Sequence, residues 1–440
     1  MEGIPVVAPA AVEDTSGAGG TGIRGGWVGL VAAYTVLILG LTLTFWLSPG
    51  PRTEAEYCGT YLHLTSWAGF TANCDGFVYM EDARHPTHLL KPGEVRQSRP
   101  LFILLGTAVG YPCTWAVQGL QHSGLLPARF VQKLPAKYQP LLGFYIGYVL
   151  LNYAVLLAAL LLFRHLYYRL TVGRGSQWVL GALLVFLISN QITKAFFWTV
   201  HQQMFTFLVP LVLVYVALQL RESGQWRKWL PGLAVLGGLL ALVYGSFVLI
   251  LPVLLYGLWL QRQHLSVVAF TGQAAALFLL FATPTFLWIG LLKLRGVAYY
   301  NHEAEAYGQL VWLRAAWQQP LPAFLRLMAR NFSQFLATLP AIIPFVLAAV
   351  GVVIGQQEPS NSQGRIRVLS GVLLLQAGFL LMLGYYKERL TWMLVPGLLL
   401  LVAVAVPATP KLQGRRLAWV ALLTACVWHV WQMVSYGPFS

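Results

Sequence analysis

The stretch from Trp27 to Leu47 reads WVGLVAAYTVLILGLTLTFWL and holds no charged residue. About 20 such residues wound as a helix match the roughly 30 Å of hydrocarbon in a bilayer. Charge-free runs recur at Gln139–Phe163, Ser266–Leu292, Phe335–Gly355 and Val368–Gly384. None alternates strictly between apolar and polar residues as an outer-membrane strand does, so the runs read as helices. Composition agrees: 58% of the 440 residues are hydrophobic and 10% are charged, against about 25% charged in soluble domains. Such a chain has too little polar surface to cover a globule in water. The fold class is therefore an all-α polytopic membrane protein.

Counting every apolar segment gives roughly 10–13 transmembrane helices. They fall near 27–47, 100–118, 140–163, 177–190, 203–220, 229–244, 246–260, 266–292, 335–355, 368–384, 391–407 and 418–435. Residues 1–26 are rich in Gly, Ala and Thr and read as a disordered cytoplasmic tail rather than a cleaved signal. Residues 27–440 read as a single transmembrane domain. The net charge of +15 fits Lys and Arg gathered in loops beside anionic lipid, so the partner it implies is the lipid bilayer and not nucleic acid. Basic connectors at Arg164–Arg174, Arg221–Lys228, Arg262–His264, Arg365–Arg367 and Lys411–Arg416 are assigned to the inside. The segments 48–98, about 191–202, 293–334 and the turn Tyr385–Leu390 are then outside. Loop 48–98 is expected to carry amphipathic helices. One count fails to close: an odd number of crossings must separate 48–98 from 164–176, and only two apolar segments lie between. Either 100–118 re-enters, broken at Pro112, or 119–139 adds a short helix. Cys113 and Cys426 sit in apolar segments as inert packing residues. Cys58 and Cys74 share the first loop and form a disulfide only if it faces an oxidising compartment.

Chemistry-bearing residues cluster in the outside segments. If 75–84 is helical, Asp75, Tyr79 and Asp82 share a face, and with Glu81 they supply carboxylates for a general base or for a divalent cation such as Mg or Mn. A solvated amphipathic surface helix explains the same spacing. Arg99 stands where the chain re-enters the membrane, placed either to hold a phosphate or to snorkel. His201 and Gln202 lie in an amide-rich loop suited to a polar substrate. Glu303, with His302 and Glu305, forms a second acidic group, ahead of the basic helix face Arg314, Arg326 and Arg330. Lys387 and Arg389 sit in an outside turn against the inside bias, as anion-binding cations would; the alternative is a local pair with Glu388.

Read in order, these motifs are similar to the GT-C superfamily of membrane glycosyltransferases, which includes protein mannosyltransferases and lipid A aminoarabinose transferases. The residues carrying the likeness are Asp75, Tyr79 and Ala83 after the first span, then the re-entry Arg99–Phe102. Gln203–Leu208 as a helix start, the broken helix pair around 238–246, and Arg389 ahead of Pro396 complete it. The resemblance implies a polyprenyl-phosphate sugar donor, with a glycan, lipid or protein as acceptor. It implies an inner-membrane location with the site facing the periplasm. By the same likeness Asp75 is the base, with Asp82 and Glu81 as alternates, and Arg99, Lys387 and Arg389 bind phosphate. Many members place an acid in the loop after the fourth helix, where this chain has Lys194, Gln202 and Gln203. Other readings are an inactive scaffold of the same shape, an O-antigen ligase or polymerase, and a lipid or sugar transporter.

Overall fold

The apolar runs are helices in the computed structural model of the chain, which describes residues 26–50, 59–65, 67–126, 136, 139–354, 363–405 and 415–435. The N-terminal tail and Cys58 lie outside the described residues. Among the described residues seven helices are long and apolar enough to cross a membrane, and four more, Gln177–Ile188, Leu230–Ala241, Gly245–Trp259 and Ala418–Val434, are apolar but shorter. The chain is an all-α polytopic membrane protein.

Helix α1 (Trp27–Thr44) leads into the first loop. There the chain forms an antiparallel hairpin of β1 (Gly59–His63) and β2 (Gly69–Asn73), with Tyr61 opposite Thr71. The expected amphipathic helices are thus joined by a hairpin, which the Thr, Tyr and Phe content of both strands favours. Then come α2 (Asp75–Arg84), α3 (Pro100–His122), α4 (Leu142–Leu170), α5 (Gln177–Ile188), the short α6 (Gln191–Phe196) and α7 (Phe205–Glu222). The second half holds α8 (Leu230–Ala241), α9 (Ile250–Trp259), α10 (Val267–Leu294), the short α11 (His302–Tyr307) and α12 (Leu321–Leu336). It closes with α13 (Ile343–Ile354), α14 (Gln363–Leu383), α15 (Val395–Ala405) and α16 (Arg415–Val434).

Helix α7 is the axis of the bundle. Of its apolar window 78% is buried, against 22% for α1 and for α10. The outer helices turn Phe278, Leu279, Phe286 and Leu287 outward, and Leu423, Val427 and Trp431 on α16 are likewise exposed. In water so much apolar surface would drive association; in a bilayer it is solvated by lipid.

Helices α3 and α4 pack at glycine-only distance. A Cβ on Gly143 would collide with the Thr114 backbone, and one on Gly110 with the Phe144 ring. Both helices carry small-xxx-small spacings, Gly106/Gly110 and Gly143/Gly147, which permit such approach. Helix α3 runs unbroken through Pro112, so the break considered from sequence does not occur. Its start and the first turns of α4 meet at one place, since Arg99 Nη1 lies 3.2 Å from the Tyr79 hydroxyl and the Tyr148 hydroxyl donates to the Tyr79 carbonyl at 3.3 Å. The far end of α4 brings Arg169 against Glu222 at the end of α7, 2.6 Å apart. Residues 99 and 148 therefore share one end of the bundle, and α4 carries the chain from there to the end that holds Arg169. Of the segment 119–139, residues 127–135 and 137–138 lie outside the described residues.

Candidate functional site

Five separate stretches meet at the end of the bundle where α2 begins. The Asp75 N–H donates to the Asn73 side-chain oxygen at 2.8 Å, and the Asn73 N–H donates to Thr199 Oγ1 at 2.8 Å. These bonds fix the start of α2 against the loop before α7. Asp75, at the favourable N-terminal end of the helix dipole, keeps its side chain 41% exposed. Its Oδ1 is 2.9 Å from Arg96 Nη2 and its Oδ2 is 3.9 Å from His201 Nε2. The Arg96 guanidinium also lies over the Tyr79 ring, 4.2 Å from its centre, a cation–π contact.

Tyr79 is fully buried. Arg99 donates to its hydroxyl at 3.2 Å. With the Gln202 carboxamide turned so that both its ends are satisfied, its oxygen accepts from Arg99 and from Tyr79, and its nitrogen donates to the Val243 carbonyl at 3.0 Å. Arg99 Nη2 reaches Glu303 Oε1 at 2.6 Å, while Ser98 Oγ donates to Glu303 Oε2 at 2.8 Å. Burial alone would raise the Glu303 carboxyl, but the Arg99 charge and the Ser98 hydrogen bond outweigh it and hold the group below its ordinary value.

His201 is buried, and its Nδ1 accepts from the Gln203 N–H at 3.1 Å. That bond leaves the ring proton on Nε2, facing Asp75. Burial first, then the charges of Arg389, Arg96 and Arg99, keep His201 well below its usual titration range and so neutral. Arg389 arrives from the late turn, with its guanidinium 6.0 Å from the centre of the Phe196 ring, and its backbone carbonyl accepts from Gln203 Nε2 at 3.3 Å. Its Nε is buried without a hydrogen-bond partner among the described residues. No carboxylate among them pairs with it, and no ion pair joins it to Glu388. Two guanidinia are thus neutralised, by Asp75 and Glu303, and a third is not, which leaves the site positive.

Asp75, Tyr79, Arg99, His201, Gln202, Glu303 and Arg389 therefore come together as one cluster. Asp82 and Glu81 do not join its open side. Asp82 is buried on α2, with Oδ1 3.6 Å from His88 Nδ1. Burial, then repulsion from Glu94, pushes its carboxyl up to about 7. Glu81 faces His85 at 3.7 Å, both partly exposed. Lys387 is exposed. The second acidic group separates: Glu303 turns to Arg99, Glu305 is exposed, and His302 packs against Tyr300 and Tyr307. Among the described residues no three His, Cys, Asp or Glu side chains are placed to hold a metal ion. Cys74 is disulfide-bonded, whereas Cys113 and Cys426 are free.

Residues outside the sequence-derived set complete the site. Arg96, three positions before Arg99, carries the Asp75 pairing. Gln97, fully buried between them, donates to the Leu89 and Lys91 carbonyls at 3.0 and 2.8 Å, and its side-chain oxygen accepts from the Tyr300 N–H at 2.8 Å. Tyr244 meets Thr206 at 3.2 Å and stacks on Phe205. The signal available in the sequence was the spacing of Arg96, Gln97, Ser98 and Arg99 just ahead of a helix start. An apolar cavity of about 210 Å³ adjoins the cluster, lined by Phe102, Leu105, Leu151, Val155, Phe205 and Leu208; Phe102 packs edge-on against Tyr79. No protein-family model matches the chain, and neither a curated protein nor a solved structure matches it.

Proposed function

We propose that the chain is a glycosyltransferase that moves a sugar from a polyprenyl-phosphate donor to an acceptor hydroxyl at the outer face of the inner membrane. The observation that carries this reading is the unpaired Arg389 guanidinium, which converges with Arg96 and Arg99 on neutral His201 beside the accessible carboxylate of Asp75. The neighbouring apolar cavity suits a lipid chain. The basic connectors at the opposite end of the bundle suit the cytoplasmic side.

In this reading Asp75 takes the proton of the acceptor hydroxyl, whose oxygen forms a bond to the anomeric carbon. The bond from that carbon to the phosphate oxygen breaks, and its electron pair leaves with the phosphate. Arg389 and Arg99 stabilise the charge that develops there. Glu303 and Gln202 keep Arg99 in place before the donor arrives, so little reorganisation is needed at the transition state. The acceptor is a glycan, a lipid or a protein. A second reading, a non-catalytic scaffold, draws on the pairing of Arg96 and Arg99 with acids.

The test is transfer of radiolabelled sugar from a panel of polyprenyl-phosphate sugars in proteoliposomes. Asp75→Asn is expected to slow turnover by about 100-fold or more. Arg389→Ala is expected to weaken donor affinity by about 10-fold or more, with the melting temperature retained. A wild-type protein inactive with the whole panel would favour the scaffold, and full activity in both variants would remove these residues from the site.

A further inference from the structure

At the other end of α7, about 30 Å from Gln202 by helix rise, a second cavity opens between α7, α9 and α14. Its volume is about 530 Å³, within the range of small-molecule sites. Its floor is apolar, formed by buried Val253 and Val372 together with Leu375. Two exposed arginines, Arg221 and Arg367, stand in its lining. Arg221 also donates to the Gly364 carbonyl, which spends one of its five N–H donors and fixes the side chain in place. Glu222, the next residue after Arg221, is already bound by Arg169. Among the described residues no carboxylate lines the cavity.

We propose that this cavity is a binding site for one anionic phospholipid, with its phosphate held by Arg221 and Arg367 and its chains laid on Val253, Val372 and Leu375. Charge complementarity selects the anion, since two cations without an acid favour a phosphate. The apolar floor selects a lipid over free phosphate, because phosphate alone would leave that floor uncovered. The site is separate from the Asp75 cluster and independent of what that cluster does.

The test is native mass spectrometry of the full chain in neutral detergent, titrated with phosphatidylglycerol or phosphatidylcholine. One tightly retained phosphatidylglycerol is expected, and no retained phosphatidylcholine. Arg221→Gln and Arg367→Gln should each weaken retention about fivefold, and together about 25-fold. Arg262→Gln, a basic residue that does not line the cavity, should leave it unchanged. Gly371→Leu keeps both arginines and grows into open space, since a Cβ at Gly371 meets nothing within 4 Å; it should abolish retention. Wild-type affinity in the double arginine variant would overturn the proposal. So would wild-type affinity in Gly371→Leu, which would mean that surface charge alone gathers lipid. Displacement of phosphatidylglycerol by an equal concentration of inorganic phosphate would likewise overturn the choice of a lipid.

Discussion

Asp82 carries a carboxyl group into the interior behind Tyr79, where burial and Glu94 push it up from 3.8 to about 7. Between those values the folded chain holds a proton that the unfolded chain has lost. Stability therefore falls as pH rises through that window, by roughly 1.4 kcal/mol per unit at most, and levels off above it. Asp82→Asn removes the ionisation while keeping the shape. The variant is expected to melt higher than wild type at about pH 8, with the gap closing as pH falls toward about 3. A melting difference independent of pH would show that Asp82 is ionised throughout. At this scale the sequence was a partial guide. Asp75, Arg99 and Arg389 stood out because charge is scarce in such a chain. The Arg99–Glu303 pair joins positions 204 apart in number, and no local pattern reports a contact over that separation. Arg96 was overshadowed because its partner depends on how α2 is turned.

Helices were the legible elements, since a bilayer admits few other backbones. The hairpin of β1 and β2 was not, because ten residues in a polar loop give period-2 patterning little room. The course of α3 was also hidden, since an apolar run with a central proline reads equally as a broken or an unbroken helix. The α3–α4 contact shows what decides it: four glycines allow the two helices to lie in near backbone contact along the length of the run. Gly143→Leu would force them apart. We expect a loss of about 1–3 kcal/mol together with loss of sugar transfer, because α4 also places Tyr148 against Tyr79 in the site. A variant that melts and turns over as wild type would show that this seam is loose.

On the scale of the whole molecule the two ends differ. One gathers Asp75, Arg99, Glu303 and Arg389, and the other gathers Arg169, Arg221, Arg262 and Arg367. Variants Lys387→Cys and Arg262→Cys, each in a chain with the free Cys113 and Cys426 replaced by Ser, check this with a membrane-impermeant maleimide on sealed vesicles. The two are expected to label from opposite sides. Labelling of both from one side would refute the arrangement. The charge bias of the connectors makes this division legible in the sequence, because Lys and Arg gather beside anionic lipid on one side of the membrane. The order of packing around α7 was not readable, since every helix is apolar and hydropathy does not say which neighbours meet.

Gln97 has a consequence in time. Its side chain binds the Tyr300 N–H, and its carbonyl oxygen accepts from Trp288 Nε1 at 2.8 Å. A ribosome working at roughly 5–20 residues per second needs about 10–40 s to travel from one partner to the other. Arg389 follows later still. For that interval Arg99 stands in the newly made chain without Glu303, and the polar cluster is complete only near the end of synthesis.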